Sequence, residues 1–475
     1  MYTMNKLYLL LILGLMLTAC KNDESTEAVP VIDKLELPEW ASDAVIYEAN
    51  IRQMTEEGTF NAFSEHLERI ANIGIELVWL MPIHPISEKN RKARGDLFAE
   101  DIEDLEERKK YLGSPYSVAD YRAVNPDYGT MDDFRNLLAK AHELGLKVII
   151  DWVPNHTGWD NPWITEHPDW YTWDDEGNII DPIDYNTGKS WGWTDVADLN
   201  YDNQEMRKEM IETMKWWVED IGIDGFRVDV AHGVPEDFFR TLIPVLTDIN
   251  PEIFMLAESD RPIDLNNQSF HMDYAWSLHH KLNEIAQGHA RASDIDAWSQ
   301  KDKEIFEHGI HMNFTSNHDE NSWGGTVFER MGDAHKMMAV FTATFEGMPL
   351  LYSGQEEPMK KRLAFFTKDT IGFKDYAYQD FYTTLFKLKK NNKALWNGKY
   401  GGDLVKLLGH EDVYAFTRKK DGDSILVILN MSDKEQTVTI PVDVAMQDVF
   451  EGANVRWSKG DELSLSAWQY YVLAN

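Results

Sequence analysis

From residue 45 onward the chain alternates between two periodicities. Short, nearly continuous apolar runs lie at 45–50, 77–82, 148–153, 225–230, 254–258, 272–276, 311–316 and 350–353. They have the length and texture of strands buried on both faces. Between them, 63–73, 131–144, 204–221 and 235–249 place apolar residues at helical spacing, and Thr130 and Asp202 stand where N-caps belong. Strand followed by helix, repeated, implies parallel strands joined by crossovers and an α/β class. Eight such strands over about 310 residues suit a closed (β/α)8 TIM barrel, predicted over 41–397. No glycine-rich phosphate loop follows the first strand, so the usual reason to prefer an open sheet is missing. The third and fourth runs are separated by a long excursion at about 157–200, an inserted domain carrying Trp159, Trp163, Trp170, Trp173, Trp191 and Trp193. It leaves the barrel at the strand end where such folds place their active sites. After Asn397 the texture changes to short β-rich runs at 413–418, 424–430, 436–441 and 463–473, predicting a C-terminal antiparallel β-sandwich over 398–475.

The first residues follow another pattern. Lys6 precedes an apolar run at 7–17, and Thr18 and Ala19 lead into Cys20. This describes a signal peptide over 1–19, too short for a membrane span. Leu17 to Cys20 resembles a bacterial lipobox, which implies lipidation of Cys20 and a polar tether over 20–40. Lys21, Asn22, Asp23 and Glu24 resemble the acidic signal that sends lipoproteins of Bacteroidetes-type bacteria to the cell surface. The expectation is an exported outer-membrane lipoprotein that meets the membrane only through its lipid. Cys20 is the one cysteine, so no internal disulfide forms.

Composition narrows the partners. With 46 basic and 81 acidic residues the formal charge is -35, a field that repels nucleic acid and anionic lipid and accepts neutral ligands. Seventeen Trp and 12% aromatic residues are enough both to pack a core and to stack on sugar rings.

Four predicted strand ends carry polar groups: Asp151, Asn155 and His156; Arg227 and Asp229; Glu258; His318 and Asp319. Arg227 and Asp229 are two apart and share one face of a strand. Taken singly, each ending reads equally well as an ion pair, a buried polar residue or the start of a loop. Strand ends of one barrel converge on one mouth, so the four together gather carboxylates, imidazoles and one guanidinium. Without a catalytic cysteine, that set suits glycosyl transfer by paired carboxylates. Arg227 is expected to keep Asp229 ionised, and the neighbouring negative charges to raise the pKa of Glu258.

These segments resemble the conserved regions of the α-amylase superfamily, glycoside hydrolase family 13, over about residues 46–356. Val196, Asp198 and Asn200 resemble the region closing the inserted domain, and 347–356 the eighth strand. The resemblance implies retaining cleavage of α-glucosidic, mainly α-1,4, bonds in starch-like glucans or maltooligosaccharides. Asp229 would be the nucleophile, Glu258 the general acid/base, and Asp319 the group that holds sugar hydroxyls at the transition state. Arg227, His156, His318 and Tyr116 would bind the sugar at the cleavage subsite, with the insert's tryptophans as outer platforms.

The chain also departs from the family pattern. His232 and Gly233 stand where many relatives carry a lysine-histidine pair, leaving acceptor-side contacts open. Asn155 and Asp198 fit two family calcium positions, too few alone for an ion that takes six to eight oxygens. An Asp-rich calcium loop after the first strand is missing, so a structural calcium stays open and no organic cofactor is expected. A transglycosylase, α-1,6-glucosidase, cyclomaltodextrinase or α-glucoside isomerase would share the same centre. A non-catalytic glycan-binding protein on this barrel would typically lack one of the three acids, and all three are present.

Overall fold

The computed structural model describes residues 35–475 except 96, 185–186, 260–268 and 307–308. The signal peptide, Cys20 and the start of the tether lie outside the described residues. Eight parallel strands close a barrel: β1 (Ile46–Ala49), β2 (Leu77–Leu80), β3 (Lys147–Trp152), β4 (Gly225–Val228), β5 (Phe254–Ala257), β6 (Met272–Tyr274), β7 (Ile310–Asn313) and β8 (Met348–Tyr352). They follow one another around the ring in chain order, and β8 pairs back onto β1 with Ile46 opposite Leu350. Each overlaps one of the apolar runs.

The strands are apolar throughout because both faces are covered. Ile46, Trp79, Ile149, Leu256, Tyr274 and Met312 fill the barrel interior. The alternate residues Tyr47, Val78, Ile150, Phe226 and Met255 belong to the layer under the helices. Of these helices, α1 (Met131–Glu143) starts with a capping box between Thr130 and Asp133. Helix α2 (Gln204–Trp216) is capped by Asn203 rather than Asp202, and runs on into a π-helical turn, Trp217–Ile221. Helix α3 (Glu236–Ile249) matches its predicted span. The stretch expected as one helix at 63–73 divides into Phe60–Ser64 and Leu67–Ile73.

Two boundaries differ from expectation. Leu37 and Trp40, assigned to the tether, pack against the barrel interior, and Trp40 Nε1 donates to the Glu252 carbonyl at 3.1 Å. Their apolar bulk serves the fold instead. The single run expected at 463–473 is two strands in different sheets, split by a turn in which Trp468 takes a φ of 56°.

The C-terminal strands are β9 (Val405–Lys406), β10 (Val413–Lys420), β11 (Asp423–Asn430), β12 (Gln436–Thr439), β13 (Val444–Asp448), β14 (Asn454–Trp457), β15 (Glu462–Leu465) and β16 (Tyr470–Ala474). Six form an antiparallel sheet in the order β9-β10-β11-β16-β13-β14, and β12 pairs with β15. Val413, Ala415, Leu426 and Ile428 pack with Val438 and Leu465 of the smaller sheet. Tyr414, Phe416, Val427 and Leu429 join the core that covers the barrel. The larger sheet is thus buried on both faces, and barrel and sandwich form one compact unit.

Gly225 opens β4 opposite Phe254, and a Cβ there would meet the Phe254 carbonyl oxygen at 1.9 Å. Relief requires β4 and β5 to separate. Gly225→Ala is therefore expected to cost at least about 3 kcal/mol, read as a lowered Tm and reduced soluble yield.

Candidate active site

The mouth of the barrel is organised around Arg227. Its side chain is fully buried, and Nη1 donates to Asp151 Oδ1 and Asp229 Oδ1, each at 2.7 Å. Nε donates to the Tyr274 hydroxyl at 3.1 Å, and Nη2 lies 2.9 Å from Glu258 Oε2. Rings of Trp79, Tyr116 and Tyr274 surround the cation at 5.2–5.7 Å. Backbone bonds continue the ladder beyond the strand ends: Asp229 N donates to Trp152 O at 2.8 Å and Glu258 N to Val228 O at 2.9 Å. Val230, next to Asp229, sits at a φ of 44°, an unfavourable left-handed conformation for a β-branched residue. That turn points its N–H at Glu258 Oε2, 2.8 Å away.

A second chain of contacts comes from β7, β1 and the loop after β2. His318 Nδ1 meets Glu48 Oε1 at 2.6 Å, and Nε2 lies 2.8 Å from the Tyr116 hydroxyl and 3.3 Å from Asp319 Oδ2. Burial alone would lower the His318 pKa, but Asp319 and Glu48 outweigh it and push it up to about 9. The imidazolium then donates from both nitrogens, which leaves the Tyr116 hydroxyl to donate to Asp151 Oδ2 at 3.1 Å. Tyr116 stacks on His318 at 5.6 Å and lies parallel to Phe365 at 6.1 Å. His156 is buried, and burial lowers it to about 3, so it is neutral near pH 7.

The carboxylates divide their protons differently from expectation. Burial, with the charges of Glu258 and Asp151, raises Asp229 well above its ordinary value despite Arg227. Burial would raise Glu258 as well, but Arg227 and the Val230 N–H outweigh it and lower its pKa. Asp151 rises to about 6 through burial. The sequence reading assigned Arg227 to Asp229 alone, whereas the guanidinium is shared among three acids and Glu258 has a backbone donor besides. Protons on so tight a set belong to the group rather than to one residue.

The centre lines a cleft of about 440 Å³ that includes Tyr116, His156, Asp229, Glu258, His318 and Asp319, with Trp193, Trp323 and Phe365 on its walls. His232 lines an adjoining space with Trp191 and Trp193. Of the insert's other tryptophans, Trp159, Trp163 and Trp170 pack into the core and Trp173 is exposed. The insert is pinned to the barrel mouth where its closing strands, His156–Gly158 and Val196–Asp198, pair antiparallel. Gly158 has no room for a side chain: a Cβ would stand 2.4 Å from Ser87 Cβ.

Asn155 and Asp198 are both buried on this ladder. The Asn155 amide already donates to Gly233 O at 3.3 Å and faces His156 Nδ1 at 3.2 Å. Among the described residues, no group of three or more His, Cys, Asp or Glu side chains gathers to hold a metal. These two side chains alone fall short of a calcium shell.

Comparison with known proteins agrees with this geometry. The profile described as the α-amylase catalytic domain matches residues 45–394. The chain belongs to the α-amylase family of glycoside hydrolases. The profile for the α-amylase SusG C-terminal domain matches 413–471. The chain is 26% identical to α-amylase MalA of Haloarcula japonica over 445 residues, covering 89% of this chain and 60% of that protein. It therefore spans about three-fifths of that relative's length. An α-amylase structure from Lactobacillus plantarum aligns with a TM-score of 0.78 at 26% identity, covering 92% of this chain and 99% of that one. The maltogenic α-amylase AmyB of Thermotoga neapolitana aligns with a TM-score of 0.77 at 26% identity, covering 91% and 98%.

Asp229, Glu258 and Asp319 line this one cleft with His156, His318 and Tyr116, and Arg227 is buried against Asp229 and Glu258. Sequence reasoning did not single out Asp151, Glu48, Trp323 or Trp276 as site residues. Asp151 stood in a quoted motif, and its place before the turn at Asn155 was the available signal.

A raised histidine pKa stabilises the fold fully below the ordinary value near 6.5, and the contribution is lost as pH rises through about 9. Removing the Glu48 charge should therefore cost most at low pH. Glu48→Gln is expected to melt below the parent at about pH 6, with the gap narrowing toward about pH 9.5 in calorimetry.

Proposed function

We propose that this chain is a retaining glycoside hydrolase that cleaves α-glucosidic, mainly α-1,4, bonds in starch, maltodextrins or related α-glucans. The observation that carries the reading is the placement of Asp229 and Glu258 on neighbouring nitrogens of one guanidinium, with Asp319 in the same cleft. Two carboxylates sharing one planar cation suit the close spacing of double displacement, rather than the wider gap that must admit a water. Asp229 attacks the anomeric carbon while Glu258 protonates the leaving oxygen. Glu258 then takes a proton from water as the glycosyl-Asp229 bond breaks. Asp319 and His318 hold hydroxyls of the distorted ring, and Tyr116 stacks beneath it. Arg227 steadies the Asp229 charge before attack.

Burial and neighbouring charges raise Asp229 while Arg227 lowers Glu258, and chemistry needs the proton on Glu258. Substrate must therefore select the other distribution, which a leaving oxygen achieves by giving the Glu258 proton an acceptor. Glu258→Gln removes both the acid and a charge that raises Asp229. It is expected to lose at least about 100-fold in kcat on maltoheptaose. With a glycosyl fluoride, which needs no acid, the acidic limb of the rate profile is expected to move down by about one pH unit. The same assay on starch, pullulan and cyclodextrin, with anomers followed by NMR, tests linkage and retention. Undiminished cleavage by the variant would overturn the Glu258 assignment.

We also propose that the chain is exported and anchored in the outer membrane through lipid on Cys20, with the body facing its polysaccharide. The leader sequence supports this. Cys20→Ala is expected to abolish incorporation of labelled fatty acid and release the protein from the membrane fraction.

A further inference from the structure

Arg52 is a second buried guanidinium, and the chemistry at the mouth does not use it. It stands in the short helix Ile51–Met54 that follows β1 and is 3% exposed. Nη1 donates to the Gly113 carbonyl at 3.2 Å and Nη2 to the Phe365 carbonyl at 2.6 Å, while Nε has no partner among the described residues. Unlike Arg227, it pairs with no carboxylate among the described residues. Burial pulls its pKa below the usual guanidinium value, and Tyr128 and Asp127 offset only part of this. A cation buried against carbonyls alone holds little advantage in stability over an apolar side chain of its size. What its two bonds join is therefore the question.

Gly113 belongs to the loop after β2 that carries Tyr116, and Phe365 to the loop after β8. These loops run antiparallel to each other: Tyr111 bridges Thr367, and Leu112 N and Gly113 N donate to the Phe366 carbonyl at 2.7 and 3.1 Å. Continued toward the cleft, that register sets Gly113 opposite Phe365, the pair whose carbonyls Arg52 takes. Beyond this pair the chains part. Ser114 stiffens the turn to Tyr116, since its Oγ accepts from Tyr116 N at 3.2 Å and its carbonyl from Ser117 N at 3.1 Å. A shift at Gly113 thus reaches Tyr116. On the other side Gln53 Nε2 donates to the Ala364 carbonyl at 3.1 Å, and Asn321 Oδ1 accepts from Leu363 N at 2.8 Å. The rings of Tyr116 and Phe365 lie 6.1 Å apart and within 7° of parallel. Both line the cleft, and Arg52 does not.

We propose that Arg52 is a positioning residue for the glucan: by clamping Gly113 to Phe365 it fixes the spacing of the Tyr116 and Phe365 rings that face the sugar. The inference rests on the glycosidase reading, which puts sugar in this cleft. The planar fork suits the task, because its two terminal nitrogens address two carbonyls at a set separation. A lysine ammonium is one point on a flexible stem. It keeps the charge and can bond either carbonyl, but it cannot hold the gap between them. Contact between an aromatic face and a sugar face depends on tilt, so loss of the clamp weakens binding.

The test is steady-state kinetics on maltoheptaose. KM does not depend on how many molecules are folded, so a merely structural role would lower the apparent kcat and leave KM unchanged. Arg52→Lys is expected to raise KM roughly tenfold, about 1.4 kcal/mol. In a Phe365→Ala background no ring pair is left to space, and the same substitution is expected to add less than about twofold. Gln53→Met frees only the Phe365 loop and is expected to raise KM about threefold. It decides alone if Arg52→Lys yields no folded protein. An unchanged KM in the single variants, or an Arg52→Lys effect that persists in full without the Phe365 ring, would overturn the positioning role. No turnover by the unsubstituted protein would overturn the glycosidase reading instead.

Discussion

Burying a guanidinium at the mouth of a barrel is costly unless every direction around it is answered, and the structure at Arg227 is the answer. Asp151, Asp229 and the Tyr274 phenol accept its hydrogen bonds, Glu258 lies within ion-pair distance of Nη2, and three aromatic rings surround the cation. Each partner comes from a different part of the ring: Asp151 ends β3, Asp229 follows β4, Glu258 follows β5 and Tyr274 closes β6. Because the strands run in parallel and in register, their ends reach one level together. Removing one carboxylate would leave the cation undercompensated, and removing the cation would leave buried acids repelling one another. The cluster therefore serves the fold at the mouth as well as the chemistry.

The same sharing governs the protons. One cation is shared among three buried carboxylates, so burial raises Asp229 and Asp151 while Glu258 is lowered. Val230 tilts the balance with a strained turn that spends its N–H on Glu258. On the opposite wall, His318 carries a second positive charge between Glu48 and Asp319. The result is a centre in which two cations face five carboxylates, an excess of acids that suits an uncharged substrate gaining positive charge only at the transition state.

Much of this was legible in the chain. The eight runs, the insert and the four polar endings are local signals, since a strand buried on both faces must be apolar from end to end and its first polar residue marks the mouth. Glu48 was hidden because it lies within an apolar run and becomes meaningful only when β1 is brought beside β7's loop. Trp276 and Trp323 were indistinguishable from packing residues, for exposure is decided by neighbours far away in sequence. The expected direction of the carboxylate shifts differed from the structure for the same reason. It counted the residue two places from Asp229, and the decisive partners were Asp151 from β3 and an N–H made available by a backbone turn.

The strain at Val230 links the two halves of the cleft. A residue after β4 in ordinary extended conformation would carry the chain onward along the barrel axis. The left-handed turn instead folds 231–233 back so that Ala231 N donates to the Glu258 carbonyl at 3.2 Å and His232 reaches the adjoining space. Val230 and Glu258 thus form a partition with one chamber on either side. A group that gives and takes a proton is well placed in such a wall, and one unfavourable φ is the local means of building it.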